Sequence, residues 1–112
     1  MKFTLYYIPL RARAEGIRMM IAYGKLQEKG ICTEVVISWE EWAEKFKLDK
    51  EVCTFTQVPS IKFANGKVIS QTGAIARFVA KLANVLPTDD IALAEADMIY
   101  ELGNDMRYVQ LL

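Results

Sequence analysis

The side chains able to do chemistry in this chain are few, and their types narrow the chemistry. None of the 112 residues is a histidine, which removes Ser-His-Asp and Cys-His nucleophilic catalysis and every histidine-ligated metal site. The only two cysteines, Cys32 and Cys53, stand far apart and outside any Cys-x-x-Cys arrangement. Neither a dithiol redox centre nor a zinc site is expected from them, and both read as buried thiols. What remains is the pair Tyr6 and Tyr7 at the end of a strand-like run, Arg11 and Arg13 just behind it, and Gln71-Thr72-Gly73 at a helix start. A hydroxyl residue beside the unpaired N–H groups of a helix N-terminus is a ready carboxylate site. Taken alone, Thr72 is equally an N-cap, and a strand tyrosine is equally core packing with its hydroxyl at the rim.

The elements that must position these groups follow from periodicity. Lys2 to Ile8 is rich in β-branched and aromatic residues and stops at Pro9, which reads as a first strand. From Ala12 to about Gln27, Ala14, Ile17, Met20 and Ile21 recur at helical spacing, and the helix is expected to end near Gly30. Thr33 to Ile37 reads as a second strand, and Ser38 caps a short irregular helix over Trp39 to Lys50. Ser60 to Ala64 and Lys67 to Ser70 flank Asn65-Gly66, a tight hairpin signal. Ile75, Phe78, Val79 and Leu82 place a third helix from Gln71 or Thr72 to about Ala83. Pro87, Thr88 and two aspartates then break the pattern over 84–90, and a last helix is expected from about Ile91 to Leu112 with no stop signal.

The order βαβαββα is that of an α/β fold, a mixed sheet with helices on both faces in the thioredoxin-like arrangement, because parallel strand pairs need crossovers and antiparallel pairs do not. The expected organisation is a domain over 1–83, a linker over 84–90 and a partial all-α segment over 91–112. Hydrophobic residues make up 53% and charged residues 25% of the chain, a globular composition without an apolar run of membrane-span length. Lysine plus arginine and aspartate plus glutamate balance at 14 each, so no positive field exists to hold nucleic acid or an anionic membrane. The opening MKFTLYY lacks the apolar run of a secretory signal, which makes the cytoplasm the expected compartment.

Three motifs carry a family resemblance. YYIPLRARAE after the first strand, QVPSI before the hairpin and SQTGAIARFVA at the third helix resemble the glutathione transferases, in that family's order and spacing, over about residues 2–107. Among the classes the chain looks like the tyrosine-type enzymes, nearest to sigma and alpha. The resemblance implies glutathione as co-substrate, no metal, an electrophilic small molecule as second substrate, and a homodimer. It places Tyr7 as the catalytic tyrosine that favours glutathione thiolate, with Arg13 beside it as a fixed positive charge. A hydrogen bond to a charged group contributes roughly 1.5–3 kcal/mol, enough to lower a thiol pKa by about one to two units.

The resemblance further assigns Gln71 and Thr72 to the γ-glutamyl carboxylate, and Gln57, Val58 and Pro59 to the cysteinyl part, with Pro59 in the cis form. Trp39 is implied at the glycyl end while Trp42 reads as packing, and either Lys45 or Lys47 is the next basic contact. Asp105 aligns with an aspartate that reaches across a dimer, although Asp97, Glu101 and Asp105 also form a solvated acidic stripe. The family continues through a helical second domain that forms most of the electrophile pocket, and this chain stops in its first helix. A non-catalytic glutathione-binding or protein-interaction module is therefore the alternative expectation.

Overall fold

A computed structural model describes residues 1–109. Strand β1 (Phe3–Tyr7) lies inside a four-stranded sheet of order β2-β1-β3-β4, parallel to β2 (Cys32–Val36) and antiparallel to β3 (Ser60–Phe63), which pairs antiparallel with β4 (Val68–Ser70). Helices α1 (Glu15–Tyr23) and α3 (Thr72–Leu82) pack on one face. Helix α2 (Trp39–Glu44) and a 3₁₀ turn at Phe46–Leu48 belong to the segment on the other. Helix α4 (Asp90–Val109) closes the described chain; residues 110–112, the end of the expected last helix, lie outside it.

The sheet divides the apolar interior in two. Phe3, Leu5 and Ile61 meet Ile17 and Ile21 of α1 and Ile75 and Val79 of α3, whereas Ile37, Phe46, Val52 and Cys53 gather against Tyr6, Val35 and Trp42. Leu5 and Ile61 are register partners and both fully buried. Capping follows the sequence: Ser38 Oγ accepts from the Glu41 N–H at 3.1 Å while the Ser38 N–H donates to Glu41 Oε1 at 3.2 Å, a reciprocal box at the start of α2.

Three elements differ from expectation, each for a local reason. Helix α1 begins at Glu15 behind a 3₁₀ turn over Ala12–Ala14 and ends at Tyr23, earlier than Gln27. Lys25 enters the left-handed region at φ +53, and Leu26 N–H reaches back to Ile21 O at 3.0 Å, a Schellman closure that turns Leu26 into the core. A second such turn closes at Gly30, φ +72, so the glycine ends the irregular turn rather than the helix. Gly24 is fixed by packing, since a Cβ there would lie 2.9 Å from Ala83. The hairpin loop has three residues, 64–66: Phe63 N–H donates to Lys67 O at 2.9 Å and Gly66 alone takes positive φ, +88.

Helix α4 is attached to α3 by a polar clasp. Arg77 donates to Asp97 Oδ1 at 2.6 Å and to Glu101 Oε1, and its guanidinium lies 5.3 Å from the centre of the Tyr100 ring. A side chain at Gly73 would collide with this clasp, its Cβ 2.8 Å from an Arg77 nitrogen.

Core burial also sets a pH dependence. Cys32 is buried, and burial, with Glu34 adding to it, pushes its thiol up to about 11. The protonated thiol is therefore favoured in the folded state. Stability is full below the ordinary thiol range and falls as pH rises from about 9 to 11, by roughly 2 kcal/mol. Urea titrations across that interval should show the decline, and Cys32→Ala should reduce it, leaving the contribution of Cys53, which burial pushes the same way. Leu5→Ala should cost about 2–5 kcal/mol at neutral pH in the same assay.

Candidate functional site

The period-two alternation of β1 separates the two tyrosines. Tyr6 faces α2, its ring centre 6.1 Å from that of Phe46. Tyr7 sits on the opposite face with Leu5, is only 3% exposed, and ends the strand where α1 approaches. Its hydroxyl oxygen accepts the backbone N–H of Arg13 at 3.1 Å. With that acceptor site filled by a fixed donor, the phenolic proton points elsewhere, so the hydroxyl is a donor to whatever occupies the adjoining space.

A cavity of about 230 Å³ opens beside Arg13. Ile8 and Arg13 contribute one wall from the segment after β1, Thr56 to Pro59 a second from the segment before β3, Gln71 and Thr72 a third, and Trp42 of α2 closes it. The Val58–Pro59 bond is cis. Gln71 Nε2 donates to Gln57 Oε1 at 3.0 Å and so ties the last two walls together. Gln71 is the N-cap of α3 at φ +80, a left-handed conformation that side chains other than glycine's adopt only under constraint, at a cost of about 1–3 kcal/mol. It makes no side-chain cap, and Thr72 is the first helical residue rather than the cap itself. The first N–H groups of α3 thus open beside the cavity with a partial positive charge and no side chain capping them. The Ser70 hydroxyl just before them is buried without a protein partner.

The structure therefore brings Arg13, Gln57, Val58, Pro59, Gln71 and Thr72 to one cavity; Tyr7 is buried and does not line it, but its hydroxyl is bonded to the backbone of Arg13, which does. It does not bring Trp39, Lys45, Lys47 or Asp105 there. Trp39 is 54% exposed at the first position of α2, Lys45 lies over the Phe46 ring with its Nζ 5.1 Å from the centre, Lys47 is exposed, and Asp105 is exposed on α4. The tryptophan that lines the cavity is Trp42. Its spacing of four residues from buried Phe46 marks both as one inward face of this segment, a signal available in the sequence.

A larger hollow of about 550 Å³ lies between α3 and α4, lined largely by apolar side chains, among them Leu86, Leu93 and Tyr100. Its Arg77 is already held by Asp97 and Glu101. It offers surface rather than chemistry, and the smaller cavity beside Tyr7 is the candidate site. Burial pushes both thiols up, so neither Cys32 nor Cys53 is a nucleophile at neutral pH.

No family model matches the chain. It is 33% identical over 103 residues to the probable glutathione S-transferase 6 of Caenorhabditis elegans, covering 92% of this chain and 46% of that protein. It is 33% identical over 100 residues to a glutathione S-transferase of Plasmodium yoelii yoelii, covering 88% and 46%. The crystal structure of the monomeric glutathione S-transferase Na-GST-3 of Necator americanus superposes with a TM-score of 0.78 at 30% identity, over 94% of this chain and 47% of that one. The chain matches the N-terminal, thioredoxin-like half of the glutathione S-transferases. It spans about half the length of the curated relatives it matches.

In this transferase-like half, the conformation of Gln71 generates a prediction. Replacing it by glycine relieves the positive φ while losing one exposed amide bond, so Gln71→Gly should stay within about 1 kcal/mol of the parent. Gln71→Val, β-branched at the same φ, should destabilise by about 1–3 kcal/mol. Thermal and urea denaturation of the two variants check the contrast.

Proposed function

We propose that this chain binds glutathione in the cavity beside Tyr7 and activates its thiol as thiolate for attack on electrophilic small molecules. The observation that carries the reading is the bond from the Arg13 N–H to the Tyr7 hydroxyl, which sets that hydroxyl next to a residue lining the cavity walled by Val58–Pro59 and the head of α3. In this reading the γ-glutamyl carboxylate meets the α3 N–H groups with Thr72 and Gln71, and the cysteinyl backbone pairs with Val58, positioned by Gln57 and Pro59. The thiol lies against Tyr7 with the Arg13 charge nearby. Trp42, which lines the cavity, takes the place at the glycyl end that the resemblance gave to Trp39. Trp39, Lys45 or Lys47 reaches the ligand only by a side-chain rearrangement at α2, and Asp105 only across a homodimer.

The chemistry at Tyr7 is a simple transfer of stabilisation. The glutathione S–H loses its proton to solvent, the sulfur lone pair accepts the phenolic O–H, and the thiolate then forms the new carbon–sulfur bond as the electrophile's leaving group or π-electrons depart. Residues 1–83 form the glutathione-binding unit, 84–90 the connection and 91–112 the start of a helical second part, with the cytoplasm as the compartment. A second reading, a glutathione-binding or protein-interaction module without turnover, is favoured by one observation: Ile91, Met98, Ile99, Leu102 and Met106 of α4 are exposed.

Calorimetric titration with glutathione separates the readings. Saturable binding is expected, weakened about tenfold or more by Thr72→Ala, the worth of a hydrogen bond to a charged group. Tyr7→Phe should leave affinity within about threefold while conjugation of a chloronitrobenzene falls about ten- to hundredfold. An unchanged conjugation rate removes Tyr7 from the mechanism. Binding without conjugation by the parent chain selects the second reading.

A further inference from the structure

Arg18 of α1 takes no part in the cavity wall, yet it is engaged on three sides next to Tyr7. Its Nε donates to Glu34 Oε1 of β2 at 2.6 Å, another guanidinium nitrogen donates to the Leu10 carbonyl at 2.6 Å, and the group lies 5.4 Å from the centre of the Tyr7 ring. One planar fork therefore joins an edge strand, the turn after β1 and the aromatic ring at the end of β1. The side chains of Arg18 and Glu34 are 21% and 20% exposed, so the pair is better shielded from water and salt than an ordinary surface bridge. A lysine could not make these contacts together, because its ammonium lacks the fixed fork.

The three contacts converge on one hydrogen bond. Leu10 lies in the segment that leads through Ala12, at φ +27, to Arg13, whose N–H is the donor to Tyr7. Arg18 thus grips the segment bearing the donor and the ring bearing the acceptor at the same time. We propose that Arg18 is a positioning residue that keeps the Tyr7 hydroxyl on the Arg13 amide by clamping both to Glu34. Its consequence for thiol chemistry rests on the function proposed above; the clamp itself does not.

Amide hydrogen exchange on the full chain, read by NMR without glutathione, tests the clamp. Tyr7→Phe, which removes the acceptor, sets the exchange rate of an unbonded Arg13 amide. Arg18→Ala should raise Arg13 exchange about tenfold or more toward that reference while the amides of the β1–β3 ladder keep their protection. Glu34→Gln, which retains an acceptor oxygen, should preserve the slow rate. Should Arg18→Ala not fold, Arg18→Lys carries the test, with Arg13 exchange expected between the parent and Tyr7→Phe. An unchanged Arg13 rate, or an equal rise across all amides, overturns the proposal, since the second outcome is what a merely structural residue would give. In the presence of glutathione, the folded Arg18 variant should bind within about threefold of the parent and lose thiolate absorbance at neutral pH. A parent chain that forms no thiolate sinks the activation reading, while the Arg13 exchange rate still decides the role of Arg18.

Discussion

Strand β1 is buried on both faces, and because consecutive side chains of a strand alternate, a slip of one residue would exchange every one of them. Phe3 and Leu5 must enter the layer under α1 and α3, and that requirement sends Tyr7 toward α1 and Tyr6 toward α2. The choice between two adjacent tyrosines is thus made by Leu5, which is fully buried against Ile61 on the two inner strands of the sheet. Parallel pairing of β1 with β2 then forces a crossover, and α1 is that crossover. It brings Arg13 and Arg18 over the end of the strand.

The candidate site is built from element ends rather than element middles, which is why its geometry needs local devices. The segment after β1, the segment before β3 and the head of α3 carry no ladder bonds to each other at the cavity. They are joined instead by the Arg13–Tyr7 bond and the Gln71–Gln57 bond. The left-handed Gln71 is the cost of turning the chain from β4 directly into α3 with the helix N–H groups open. A conventional side-chain cap would have satisfied those groups and closed the site to an anion. Local strain and an open helix end are here two aspects of the same turn.

The element order, the hairpin and both long helices were legible because each rests on a short-range signal: period-two burial in β1, the Asn65-Gly66 pair, and i, i+3, i+4 spacing in α3. The Ser38 box was legible for the same reason. The end of α1 was not, since Lys25 carries no glycine-like signature and its left-handed φ is imposed by the burial of Leu26. Motif spacing found six of the residues around the cavity, but it ranked Trp39 above Trp42, because a motif match records chain position and the inward face of α2 is decided by Phe46 and Ile37. The role proposed for Arg18 is not legible in the sequence. In the sequence it is one more arginine on a helix, and only the fold sets Glu34, Leu10 and Tyr7 around it.

The two parts of the chain are held by different forces. The cavity-bearing part is fixed by apolar burial on both faces of the sheet, with Leu5, Ile17, Ile61, Ile75 and Val79 almost wholly withdrawn from water. Helix α4 is held by the Arg77 clasp, whose members are 43–58% exposed, and by Tyr100, which packs against the core, while Ile91, Met98, Ile99, Leu102 and Met106 remain open to solvent. Exposed ion pairs contribute at most about 1 kcal/mol each, whereas burying one large apolar side chain contributes about 1.5–3 kcal/mol. Loss or displacement of α4 therefore leaves the core that positions Tyr7, Val58 and Gln71 in place. The cavity and the helix that follows it are thus separable in energy, so the geometry of the first does not depend on the second.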